Sequence, residues 1–570
     1  MTLLVDPPPR NRAAGRSATD NGRTAVSQVD TADLGQVDKP EGQAATAAGQ
    51  LNGATGQVAA SRLDAARLDA AAANSAEAPP EVTGPAKLAE PPIPGGRVEA
   101  VMGVIIRILS HSRLARPLPA VILSAVGLGG VAFVGLCATA PAASVATPPV
   151  LLPLTSVARD LGAPHLPDPV ADLIMYVAIG LCCLGLAMML WANSRGWSPN
   201  PRRVFWAAVG AIAVLVNITP VGSSDAASYA AYGRIAALGH NPYTFLPSQL
   251  PGGAGANPYT ILVSPYWRKA PSVYGPVATW TQQLAAEIGG TRAWLTLWVL
   301  MIMMGAAFVI TGYILLRTAA NPVRAVLLWV ANPLMIVELV IGGHLDSLLA
   351  LFAIAAIVLS RRCNRIWHDV AVGLLVGVAG GIKVNAVFVA LGIAIPLLHD
   401  RAWARLIRIG LVAGLTTFGL YYFSYGLVAL RTLGHASGMV ISPTVWRGLQ
   451  EIVTLATRHS SHATQLHATH LLNTMIEFAW PPLMIALAWY LYKRLSPDVP
   501  TVVAATCALT FAWIVVAPWS LPWYSSIAWV TVALLPRNTL TRWLTLATGA
   551  LSLLHFNGGH PANVQIGPTP

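Results

Sequence analysis

With 55% hydrophobic and only 11% charged side chains in 570 residues, and a mean hydropathy of +0.57, the chain is excluded from the ordinary water-soluble globular class. The net charge of +12 is unevenly held, since residues 1–100 carry 12 acids against 9 Lys and Arg and the other 470 carry 12 against 27. A basic excess spread over short loops between apolar runs indicates membrane orientation, and it argues against a nucleic-acid partner.

Residues 1–97 are rich in Ala, Gly, Pro, Gln and Asp and almost free of aromatics. Such a segment cannot bury enough apolar surface to offset its ordering entropy, so a disordered cytoplasmic tail is expected. It opens Met1-Thr-Leu-Leu-Val-Asp-Pro, too short an apolar run for a cleavable signal peptide. Residues 98–117, with Arg107, Arg113 and Arg116, predict a basic interfacial segment.

From residue 118 to 570 the apolar runs predict an all-α polytopic membrane protein with about 13 transmembrane helices. The expected spans are Leu118–Ala138, Val170–Trp191, Val204–Ile218, Trp294–Leu316, Arg324–Val340, Ser347–Leu359 and Asp369–Gly381. They continue with Asn385–Leu398, Leu406–Leu427, Asn473–Tyr492, Thr501–Ala517, Tyr524–Leu535 and Arg542–Phe556. Several are short enough to require tilt or a re-entrant path. With the N-terminus cytoplasmic, the basic loops around Arg195/Arg202/Arg203, Arg317/Arg324, Arg361/Arg362/Arg365, Arg401/Arg405/Arg408, Lys493/Arg494 and Arg537/Arg542 all fall inside. Two large loops, 219–292 and 428–472, are left on the outer face of the plasma membrane. Cys137, Cys182, Cys183 and Cys507 lie in apolar runs and Cys363 in a basic loop, without the pairing of a disulfide framework or a zinc site.

Acids are so scarce in this region that the search for a general base is short. Asp225 follows an apolar run in Pro220-Val-Gly-Ser-Ser-Asp225-Ala-Ala-Ser-Tyr229 and opens a predicted helix, Ala226 to Leu238, that stops at Gly239. It serves equally well as the cap of that helix. The loop it begins holds Tyr243, Tyr259, Tyr266, Trp267, Tyr274 and Trp280, a composition suited to a folded, sugar-stacking or interfacial layer. Glu338, His344 and Asp346 surround a Gly-Gly turn at the end of another span, where an ionisable residue is expensive and a functional role is the default. Asp346 could instead cap the next helix, and Glu338 could pair with an Arg. Lys383, in Gly380-Gly-Ile-Lys383-Val-Asn385, sits at a break between two short helices, where it suits an anionic headgroup or a snorkelling anchor. Trp519, Trp523 and Tyr524 form an outward aromatic turn, either an interfacial belt or one wall of a cleft. His459, His462, His467 and His470 cluster without a carboxylate or Cys, so no metal is expected there. No nucleotide-binding or zinc-protease pattern is present, and no cofactor is expected.

These stretches together resemble a known family. An acid just after a membrane helix in the first large outer loop is similar to the polytopic GT-C glycosyltransferases. The pattern Asp225-x-x-Ser-Tyr229-Ala-x-x-Gly233…Gly239-x-Asn-Pro242-Tyr243 is closer still to the actinobacterial alpha-(1→6)-mannopyranosyltransferases of lipomannan and lipoarabinomannan synthesis. Tyr274-Gly-Pro276, Asn332-Pro-Leu…Glu338…Gly-Gly-His344-x-Asp346, Gly381-x-Lys383 and Pro518-Trp…Pro522-Trp-Tyr524 resemble later segments of that family. The resemblance implies a GT-C-type bundle with its catalytic site in loop 219–292. It also implies a polyprenyl-phosphate mannose donor and a lipid-anchored mannan acceptor. Asp225 is then the base of an inverting transfer, while Lys383 with Arg234 or Arg447 offsets charge on the departing phosphate. Where related enzymes carry two acids this chain reads Ser223-Ser224, so one carboxylate suffices or Asp346 or Glu338 supplies the second. An alpha-(1→2) linkage or an arabinofuranose donor would use the same architecture. A lipid-linked sugar flippase or transporter, and a structural partner in envelope assembly, are the readings from other classes.

Overall fold

The computed structural model describes residues 117–137, 151–164, 166–253, 257–265, 267–361, 365–437, 440–441, 444–495 and 501–555. All of them belong to the compact unit Pro94–Pro570. The expected tail 1–97, the segment 98–116, Tyr266 and Cys363 lie outside the described residues.

The described residues contain no strand and form twenty α-helices. They are α1 (Pro117–Leu136), α2 (Pro153–Asp160), α3 (Asp168–Ser194), α4 (Pro201–Leu215), α5 (Asp225–Ala237), α6 (Pro258–Leu262) and α7 (Pro276–Gly289). The middle of the chain forms α8 (Ala293–Thr318), α9 (Pro322–Leu328), α10 (Pro333–Met335), α11 (Asp346–Ser360), α12 (Ile366–Gly380), α13 (Val387–His399) and α14 (Trp403–Ser424). The remainder forms α15 (Val428–Ser437), α16 (Val445–Thr457), α17 (His462–Arg494), α18 (Thr501–Val516), α19 (Ser526–Leu534) and α20 (Leu540–His555).

A recurring dipeptide sets many of the starts. Asn-Pro opens α4, α6, α9 and α10, with Asn200, Asn257, Asn321 and Asn332 as caps whose side chains accept the first free amides. Proline at the first helical position lacks only an amide that would be unpaired anyway, and its φ already suits a helix.

Each of the thirteen expected spans falls on one of these helices or on a bent pair. By length and composition, however, only α1, α3, α8, α14 and α17 among the described residues can cross a membrane alone. A sixth candidate is α9 with Pro333–Ile341, which meet at 41°. The bend has a local cause, because Ile336–Ile341 is a π-helical turn following the Asn332-Pro333 break. The apolar helices α11, α12 and α18, and Val384–His399, are shorter. At 1.5 Å per residue, 13–16 residues reach roughly 20–24 Å, less than the ~30 Å hydrocarbon core.

The two expected loops are substantially helical. Residues 219–292 contain α5, α6, α7 and two 3₁₀ turns, and 428–472 contain α15, α16 and the start of α17. In the second, α17 begins at His462, eleven residues before the expected span.

The core joins distant parts of the chain. Helix α1 packs on α3, α5 on α7, α12 on α14, and α18 on both α13 and α17. Arg324 is buried without an acid and donates instead to the carbonyls of Val532 and Leu535 and to the Thr541 hydroxyl. The α5–α7 contact depends on Gly233, where a Cβ would land on the Gln282 carbonyl of α7. Gly233→Ala should therefore lower stability by about 1–3 kcal/mol, read as a fall in thermal midpoint in detergent. Gly210→Ala, with nothing within 4 Å of the added carbon, should leave the midpoint unchanged or raise it.

Candidate functional site

Helix α4 ends at Leu215, and a turn through Gly222, at φ +90°, delivers the chain to α5. Asp225 is the first residue of α5, not its cap. Ser224 holds the cap position without a side-chain cap bond, and Ser223 Oγ accepts the Asp225 amide at 3.1 Å. The cap reading of Asp225 is thus corrected: the carboxylate is not spent on its own helix and turns into the protein. Tyr229, one helical turn on, donates its hydroxyl to Oδ2 at 3.2 Å, and the Tyr274 hydroxyl approaches the same oxygen at 3.5 Å. The two rings meet edge to face at 4.9 Å. Tyr243 steadies Tyr274 from behind, donating to its carbonyl at 2.6 Å.

His344 Nε2 lies 4.0 Å from Asp225 Oδ2. The ring follows the Gly342-Gly343 turn, where Gly343 has φ +68°. It stacks on Trp523 at 3.7 Å and 14°. Its Nδ1 faces the Glu338 main-chain carbonyl. A carbonyl only accepts, so Nδ1 carries the hydrogen and Nε2 turns a lone pair toward Asp225. Nε2 has no hydrogen-bond partner.

Asp346 begins α11 and is fully buried, and its Oδ2 lies 2.6 Å from Lys383 Nζ. Lys383 is 8% exposed, at the break between α12 and the 3₁₀ turn Val384–Ala386. Its ammonium sits 4.2 Å from the centre of the Tyr524 ring and 5.8 Å from that of Tyr274. Tyr524 in turn accepts the Trp519 indole N–H at 2.9 Å and stacks on Trp513. The reading of Lys383 as a lone anchor is corrected accordingly: it is half of a buried ion pair roofed by two aromatic rings.

One site therefore gathers Asp225, Tyr229, Tyr274, His344, Asp346, Lys383, Trp523 and Tyr524, with Tyr243 and Trp519 behind it. The other expected residues face elsewhere. Glu338 lends its main chain, but its carboxyl pairs with the Ser552 hydroxyl rather than an Arg. Arg234 lies over the Tyr259 ring at 5.9 Å, and Arg447 pairs with Glu451 at 3.4 Å. Among the described residues, no three His, Cys, Asp or Glu side chains come together as metal ligands.

The supporting layer contains residues that sequence reasoning missed. Tyr232 donates to the carbonyls of Ala270 and Pro271 and tilts against Tyr274. Its spacing from Tyr229, three residues on one helix face, was the available signal. Trp513 gave none.

Burial pushes the Asp225 carboxyl up from its usual range to about 6; the Lys383 charge and the Tyr229 hydroxyl oppose the shift and Asp346 adds to it. The site can accept a proton near neutrality beside a fixed cation and stacked aromatic faces. Breaking the ion pair from one side leaves an uncompensated buried charge. Lys383→Met should cost about 3–5 kcal/mol, and Lys383→Met combined with Asp346→Leu should recover most of it, compared by melting of the detergent-solubilised protein.

Residues 124–399 match the family described as alpha-(1→6)-mannopyranosyltransferase, N-terminal domain. Alpha-(1→6)-mannopyranosyltransferase A of Corynebacterium glutamicum is 30% identical over 178 residues, 30% of this chain and 34% of the relative. The B enzyme of the same organism is 31% identical over 238 residues, covering 38% and 37%. Alpha-(1→6)-mannopyranosyltransferase A of Mycobacterium tuberculosis is 23% identical over 442 residues, covering 68% and 76%. The chain thus spans about a third of the first of these relatives and three quarters of the last. No solved structure matches. Over residues 124–399 the chain is similar to the alpha-(1→6)-mannopyranosyltransferases of actinobacteria, and the resemblance read from its motifs is borne out.

Proposed function

We propose that this protein is a multi-pass, inverting mannosyltransferase of the GT-C type. It moves mannose from polyprenyl-phosphate mannose to a growing alpha-(1→6)-mannan at the outer face of the plasma membrane. The observation that carries this reading is the Asp225 carboxylate, buried beside two tyrosine hydroxyls and an imidazole at the end of a bundle of apolar helices. The names of the similar proteins support alpha-(1→6)-mannosyl transfer. The basic loops support a cytoplasmic N-terminus and an outward Asp225.

In the reaction, an acceptor hydroxyl attacks the anomeric carbon of a beta-linked mannosyl phosphate from the far face. The new C–O bond forms as the bond to the phosphate oxygen breaks, and the polyprenyl phosphate leaves with the electron pair. Asp225 takes the hydroxyl proton. Phosphate is a good leaving group, so no general acid is required. Only one hydrogen of the Lys383 ammonium is needed for Asp346, and the others are free for the departing phosphate. The second titratable group beside Asp225 is the His344 imidazole, whose Nε2 can accept a proton. Asp346 is engaged by Lys383, and the Glu338 carboxyl faces Ser552.

Asp225→Asn should lower mannosyl transfer by ~10²–10⁴ while leaving expression and donor binding nearly intact. Radiolabel transfer from polyprenyl-phosphate mannose in membranes, with linkage analysis of the product, measures it; near-normal turnover would remove Asp225 from the role of base. The same assay distinguishes a flippase, which moves the lipid without forming a glycosidic bond. A base must be ionised to act. With its carboxyl raised to about 6, activity should hold above that pH and fall as pH drops through it. A pH–rate profile checks this, and a limb near pH 4 would contradict it.

For orientation, a cysteine placed at Ser248 should react with a membrane-impermeant thiol reagent on intact cells. One placed at Asn538 should react only after permeabilisation.

A further inference from the structure

Helix α17 and the turn before Trp519 line a half-open cavity of about 130 Å3, with His470, Asn473 and Glu477 exposed to solvent, that the proposed reaction leaves unused. Its lining includes His470, Asn473, Thr474, Glu477, Trp480 and Pro518. Six lining residues come from α17: His470, Asn473, Thr474, Glu477 and Trp480 recur at i, i+3, i+4, i+7 and i+10, one face of a helix, and the apolar Ile476 borders them. Asn473 is held in place by Gln450 of α16, whose amide donates to it at 2.7 Å.

Pro481 and Pro482 lie inside α17 and have no amide hydrogen. The carbonyls of Glu477 and Phe478, four residues earlier, therefore lose their helical donors. The cavity offers a carboxylate, an amide, a hydroxyl and an imidazole beside an indole side chain. None of its lining residues is Lys or Arg. A phosphate or other anionic headgroup would meet no counter-charge there. A neutral polyol suits it, with hydroxyl hydrogens for the acceptors and an apolar ring face for Trp480.

Its height along α17 fits the same ligand. Thirty-three residues reach ~50 Å, whereas a hydrocarbon core of ~30 Å needs about 20. Counted back from Lys493 and Arg494, that span ends near Thr474, so the cavity stands at the opposite interface. From Pro518 the chain passes to Trp519, which bonds Tyr524, and Tyr524 covers Lys383. The cavity is therefore tied to the reacting site by one short turn.

Resting on the proposed function, we infer that this cavity is a saccharide subsite, holding a mannose unit of the acceptor remote from the hydroxyl that reacts. The test uses the full chain in nanodiscs, polyprenyl-phosphate mannose as donor and an alpha-(1→6)-linked tetramannoside as acceptor. Glu477→Gln and Trp480→Ala should each raise the KM for the tetramannoside about tenfold. Ile485→Ala, on the exposed apolar side of α17, should leave it unchanged. An unaltered KM in both cavity variants overturns the subsite and leaves the transferase reading standing.

Binding is measured separately from turnover, by saturation-transfer NMR of the tetramannoside on the Asp225→Asn protein. The signal should disappear when Trp480→Ala is added, and equal signals overturn the subsite. If the wild-type chain transfers no mannose yet gives a signal that depends on Trp480, the transferase reading fails and the saccharide site remains.

Discussion

Removing one charge from water at the end of a helical bundle costs several kcal/mol, and Lys383 and Asp346 each meet that cost chiefly through the other. Their contact of 2.6 Å fixes the start of α11 against the break between α12 and α13. The ammonium then draws aromatic faces over itself. Tyr274 comes from the first large loop and Tyr524 from the turn between α18 and α19, so four separate stretches share one charge. Asp225 occupies the frame these stretches make.

Two aspartates in this frame thus have opposite situations. Asp346 is compensated at contact distance and is structural in its immediate chemistry. Asp225 has hydroxyls from Tyr229 and Tyr274, an imidazole lone pair at 4.0 Å, and no cation in contact. Hydroxyls can favour the ionised form without neutralising it, while burial favours the protonated form. The difference comes from which acid received the lysine.

Much of this was legible because charge is so rare in the chain. In a sequence with 11% charged residues, an Asp or Lys beside an apolar run stands out, and Asp225, Asp346 and Lys383 were each found that way. Helix positions were legible for the related reason that apolar runs and Asn-Pro starts mark them locally. What could not be read was partnership. Lys383 and Asp346 are 37 residues apart, and nothing in either local sequence names the other. The direction of Glu338 was also hidden, because the π-helical turn Ile336–Ile341 alters the angular spacing on which a helical-face argument depends. The extent of α17 was missed because its first turns are polar, and hydropathy stops where the apolar stretch does, not where the helix does.

Arg324 bears on where this protein can be divided. The family match ends at residue 399, yet the Arg324 guanidinium is satisfied only by Val532, Leu535 and Thr541. His344 rests on Trp523 in the same way, and Lys383 under Tyr524. Sequence similarity therefore marks a segment rather than a folding unit: a fragment ending at 399 would hold a guanidinium, an imidazole and an ammonium whose covers had been left on the other piece. The parts before and after residue 399 are joined through these contacts, and substitutions after 399 have to preserve those three covers.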